Sequence, residues 1–96
     1  MKPYSYYAYS AFRAYFLGSD QTEPTPAVKA SHSACEAALS GLDEESTMLL
    51  RTVYSAPEGL ADAIRKTTTD LRVRQNDIWT LVAKAERLFA QYRGLI

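Results

Sequence analysis

The chain has a single cysteine, Cys35, and a single histidine, His32, among its 96 residues. One thiol cannot close an intramolecular disulfide, and one Cys with one His cannot make a structural zinc site, so neither staple nor metal nor other cofactor is expected. Charge of one sign is equally lacking, because eleven Lys and Arg balance eleven Asp and Glu. The chain as a whole therefore advertises no preference for nucleic acid, membrane surface or an acidic ligand. Long apolar runs are missing too, and none approaches the roughly 20 residues that span a bilayer. The Tyr-rich start lacks the charged, aliphatic and cleavage regions of a signal peptide, so a cytoplasmic protein with no membrane partner is expected. With four glycines and four prolines, low-complexity or linker character is absent as well.

What is present is apolar and aromatic: 47% of residues are hydrophobic, with seven Tyr, three Phe and one Trp. A chain this short supports one core, so a single domain over residues 1 to 96 is expected. Its charges are uneven. Residues 1 to 50 carry three basic and six acidic groups, and residues 51 to 96 carry eight basic and five acidic groups.

Periodicity predicts an all-α chain of about five helices. Tyr4, Tyr7, Ala8, Ala11, Phe12, Tyr15 and Phe16 form one stripe of a first helix that stops at Gly18. Residues 19 to 26 combine prolines with polar turn formers and read as a loop. Thr25 then caps a second helix with Pro26 at its first position, and Gly41 offers a left-handed stop. Residues 1 to 41 thus read as an aromatic helical hairpin. Asp43 opens a third helix, with Glu44 and Glu45 at its positive end and Leu49, Leu50, Val53 and Tyr54 facing inward. Ser55 and Glu58 have capping-box spacing ahead of a fourth helix carrying Leu60, Ala61, Ile64 and Leu71. After a turn at residues 72 to 75, Ile78, Leu81, Val82, Ala85, Leu88, Phe89 and Tyr92 make the longest stripe, ending at Gly94.

Catalysis finds little support in these residues. His32 and Cys35 are neighbours on one helix turn, yet no third group is placed to orient a base, and a small buried Cys beside a solvated His explains both. The acids Asp43, Glu44 and Glu45 are accounted for by the helix dipole. No enzyme is expected. Tyr6, Tyr9 and Arg13 lie off the main stripe of the first helix. They read either as rim residues of a helix buried around most of its girth or as a contact with a partner or a second copy in a homodimer. Arg65, Lys66, Arg72, Arg74 and Lys84 gather around the last turn of the chain, a placement that suits phosphate contacts. Gln75, Asn76 and Thr80 at the start of the helix behind it are the candidates for base contacts in a major groove.

The stretch Leu71-Arg72-Val73-Arg74-Gln75-Asn76-Asp77-Ile78-Trp79-Thr80-Leu81, with Lys84, Ala85 and Phe89, resembles the helix-turn-helix of the promoter-recognising carboxy-terminal domain of bacterial sigma factors. Leu71 and Val73 match apolar positions around the turn, and Ile78, Leu81, Ala85 and Phe89 match buried positions of the recognition helix. Leu42, the acidic cluster at 43 to 45, Leu49, Leu50 and Tyr54 look like that domain's first helix. The similarity runs over about residues 39 to 93, with residues 42 to 96 as the sigma-like unit. It implies a small bacterial regulator of transcription whose partner is double-stranded DNA or RNA polymerase. The alternative is a helical interaction or dimerisation module that does not read DNA. Arg72 stands where the family usually has Gly, Arg74 replaces a Ser or Thr cap, and residues 64 to 71 are about one helical turn longer than the family spacing. Trp79 replaces a polar or basic contact residue and is expected to be buried against the first or fourth helix.

Overall fold

The computed structural model describes residues 3–18 and 25–96, and the loop expected over residues 19 to 26 falls mostly outside them. Five α-helices follow in order: α1 (Ser5–Leu17), α2 (Pro26–Ser40), α3 (Glu44–Ser55), α4 (Leu60–Leu71) and α5 (Gln75–Arg93). The described residues contain no strand, so the molecule is an all-α bundle.

Local chemistry accounts for most helix ends. The Thr25 hydroxyl accepts the Val28 N–H at 3.2 Å ahead of Pro26, and Asp43 Oδ1 accepts the Ser46 N–H at 2.7 Å. At the far end of α5, Gly94 takes φ 82°, and the Leu95 N–H reaches back to the Ala90 carbonyl at 2.8 Å. Two expected ends differ. Gly41 closes α2 at φ −88°, not in the left-handed region, because a single further turn leads directly into the Asp43 cap. The Ser55–Glu58 capping box does not form: α3 continues through Ser55, the chain bends across residues 56 to 58, and Gly59 caps α4 with no side-chain bond.

The core is centred on α5, which packs along α2 and also touches α1, α3 and α4. Ile78, Val82, Ala85, Phe89 and Ala90 of α5 are buried, together with Ala34, Cys35, Ala38 and Leu39 of α2. The hairpin and the carboxy-terminal helices therefore share one core. Phe12 of α1 stacks on Tyr54 of α3 at 5.1 Å between ring centroids and meets Phe89 at 5.7 Å. Tyr9 and Phe16 close the cluster around Tyr54 at 5.9 and 6.3 Å. Such ring pairs add about 0.5–1.5 kcal/mol each beyond burial.

This cluster corrects the stripe expected on α1. Ala8 and Phe12 are buried and Tyr9, Ala11, Tyr15 and Phe16 pack against them, whereas Tyr7 faces outward. The inward face is rotated toward Tyr9 because Tyr54 and Phe89 receive the rings from that side. In the other helices, Leu71 and Tyr92 are exposed although the periodicity placed them on apolar faces. The Thr67–Thr69 run stays helical because Thr67 is buried against the core, a case of packing overriding weak propensity.

Candidate functional site

The segment from α4 to α5 is a helix, a three-residue connection and a helix. Arg72 ends α4 in the left-handed conformation, φ 55° and ψ 38°, the one non-glycine residue with positive φ among those described. For an L-residue this costs about 1–2 kcal/mol. Val73 turns inward against the core, and Arg74 caps α5 with no side-chain bond. Ile78 is the single buried residue in the first turn and a half of α5. Around it Gln75, Asn76 and Thr80 are all exposed, so α1 leaves them uncovered. The Thr80 hydroxyl donates to the Asn76 carbonyl at 2.9 Å, which fixes its rotamer on the outer face.

Each basic candidate is exposed: Arg65, Lys66, Arg72, Arg74 and Lys84. Arg72 and Arg74 lie in the connection itself. Lys84 follows Asn76 and Thr80 at four-residue spacing, on the same outer strip of α5. Arg65 is engaged by Asp62 on its own helix. Lys84 also faces Asp43, whose carboxyl lies below the usual carboxylate range mainly through its bonds to Ser46, with Lys84 as the smallest cause.

The three candidates for a partner contact divide. Tyr6 is 73% exposed. Tyr9 packs on Tyr54, and Arg13 reaches across to α3, where its Nη1 donates to the Tyr54 and Ala56 carbonyls at 3.0 and 2.5 Å. Ala56 is extended and Pro57 follows, so the end of α3 has few backbone donors to satisfy its last carbonyls. Arg13 supplies them, and its positive charge lies at the negative end of the helix dipole. Both Tyr9 and Arg13 are thus occupied within their own chain.

Trp79 is not buried as expected. It is 37% exposed and forms one wall of a groove of about 620 Å³ between α1, α4 and α5. Tyr6 and Tyr9 line the opposite side, Leu60 and Val82 contribute aliphatic surface, and Glu86 is the one carboxylate among its described lining residues. The Ser5 hydroxyl donates to Glu86 Oε2 at 2.5 Å and fixes that carboxylate. The sequence reading missed this groove.

His32 lies 2.9 Å from Glu36 Oε1 through Nε2 and against the ring of Tyr15, while Cys35 is buried in the core. Among the described residues no group of three His, Cys, Asp or Glu could hold a metal ion, and no helix is long and apolar enough to cross a membrane. No protein-family model, curated protein or solved structure matches the chain.

Proposed function

We propose that the chain is a small helix-turn-helix regulator that binds double-stranded DNA through the start of α5 and the basic groups around the connection before it. The observation that carries this reading is the exposed strip of Asn76, Thr80 and Lys84 on α5, directly preceded by exposed Arg72 and Arg74 and by Gln75. Polar side chains at the amino-terminal end of a helix, flanked by cations, combine base-edge reach with phosphate contacts. The resemblance to the sigma-factor domain agrees in placing recognition on this helix.

Titration with mixed-sequence duplex across a salt series tests it. Lys66, Arg72, Arg74 and Lys84 as four phosphate contacts give a log–log salt slope of about −3.6, and Arg74→Ala makes it shallower by about 0.9. Absence of binding at low salt, or an Arg74→Ala variant with unchanged affinity and slope, overturns the reading. The second reading, an interaction module, draws on Tyr7, Leu95 and Ile96, which stand exposed around a shallow hollow beside Tyr4. Self-association by sedimentation without DNA affinity favours it over the first.

A further inference from the structure

The groove between α1, α4 and α5 has a composition that selects among ligands. Its walls are mostly apolar, and three aromatic side chains contribute, Tyr6 and Tyr9 from α1 and Trp79 from α5. Among the described residues that line it there is no Lys, Arg or His, and the one carboxylate is that of Glu86. At about 620 Å³ it is within the range of small-molecule sites.

We propose that this groove binds a small organic cation, a quaternary ammonium with a short apolar tail. The head sits between Glu86 and the aromatic rings, and the tail lies on Leu60 and Val82. The choice of charge follows from two effects acting in the same direction. Ring faces carry negative electrostatic potential, so they attract a cation and repel an anion. A neutral ligand covering Glu86 would strip water from a carboxylate without replacing it, which is unfavourable, whereas a cation compensates the charge it covers.

The choice of a head without N–H groups follows from the polar inventory. The described lining is mostly apolar, so three ammonium protons would meet few acceptors beyond the Glu86 carboxylate, which keeps lone pairs beside its bond from Ser5, and a methylated head needs none. Trp79 makes no ring contact with another aromatic residue among those described, and it lines the groove while 37% exposed. None of the DNA-contact candidates lines the groove, and the inference stands independently of the DNA reading.

Hexyltrimethylammonium, 1-hexanol and hexyl sulfate share a tail and differ in head charge. Each is titrated into the full chain without DNA, with two readouts: emission of Trp79, the chain's one tryptophan, and broadening of the ligand's own proton resonances. The expected result is saturable binding of the cation, about tenfold weaker binding of the alcohol, and none of the sulfate. Glu86→Gln retains an acceptor for Ser5 and is expected to weaken the cation about tenfold while leaving the alcohol unchanged. Tyr6→Ala, at an exposed position, is expected to weaken the cation severalfold with unaltered circular dichroism. Equal binding of cation and alcohol, a cation affinity insensitive to Glu86→Gln, or no saturation in either readout overturns the proposal.

Discussion

Tyr54 is at the centre of the aromatic cluster with no solvent exposure, yet its hydroxyl has no hydrogen-bond partner among the described residues. A buried hydroxyl left unpaired costs about 1–3 kcal/mol relative to water. Tyr54→Phe removes that group and keeps the ring on which Phe12, Tyr9 and Phe16 pack. The vacated oxygen leaves a void smaller than a methyl group, so the packing loss is small beside the gain. The variant is expected to be more stable than the wild type by about 1 kcal/mol at neutral pH, which raises Tm by about 4–8 °C for a domain of this size. A second effect grows with pH. Burial, and after it the negative charge of Glu86, pushes the Tyr54 phenol above its ordinary range. Its folded-state pKa is therefore raised above the unfolded value near 10, and the stability linked to the protonated form is present below that pH and lost above it. Each further pH unit removes about 1.4 kcal/mol from the wild type that the Phe variant retains. Urea titrations of both proteins at neutral pH and at two alkaline values measure the difference directly. A variant less stable by more than about 1 kcal/mol at neutral pH would show that the hydroxyl is satisfied, and parallel alkaline losses would refute the burial argument.

Arg13→Met keeps the aliphatic stem but leaves the Tyr54 and Ala56 carbonyls without their donor, so a loss of about 2–3 kcal/mol in unfolding free energy is expected by urea titration. Arg72→Gly relieves a left-handed arginine and is expected to raise stability by up to about 1 kcal/mol after the added unfolded-state entropy is subtracted, while weakening any duplex binding. Tyr6→Ser is expected to change stability by less than about 0.5 kcal/mol, whereas Tyr9→Ser, which opens the cluster at Tyr54, costs more than about 1.5 kcal/mol; equal effects would contradict the observed face of α1. Asp43→Ala is expected to destabilise α3 at neutral pH, and because the folded carboxyl is depressed, the difference from wild type shrinks as pH falls below about 4 and is checked by thermal melts in acid.

Helix punctuation is legible at several ends that depend on neighbours in sequence, though not at Gly41, which ends α2 outside the left-handed region. Thr25 before Pro26, Asp43 before two glutamates and Gly94 after a long apolar stripe each satisfy backbone groups within four residues, so the local sequence holds the whole cause. Where the cause is distant, reading failed. Ser55 and Glu58 have the spacing of a capping box, but Arg13, more than forty residues away, holds the end of α3 so that Ser55 stays helical. The inward face of α1 was ambiguous for a related reason. Tyr, Phe and Ala occupy so many of its positions that a 3.6-residue period fits two rotations, and only the location of Tyr54 and Phe89 selects one.

The groove shows how a site can escape a reading that looks for motifs. Its walls come from residues 5 to 9, 59 to 61 and 79 to 86, three stretches with no spacing to relate them. One local signal does exist. Trp79, Val82, Ala83 and Glu86 stand at i, i+3, i+4 and i+7, a single face of α5, and that face continues past the buried Val82. A carboxylate on an otherwise apolar helical face must be paired, hydrated or aimed at a ligand, because burying it alone is too costly. Ser5 gives Glu86 one hydrogen bond and no opposite charge. The proposed cation would meet that requirement, and Trp79, one turn of helix from the core residue Val82, stands partly exposed in the wall of the same groove.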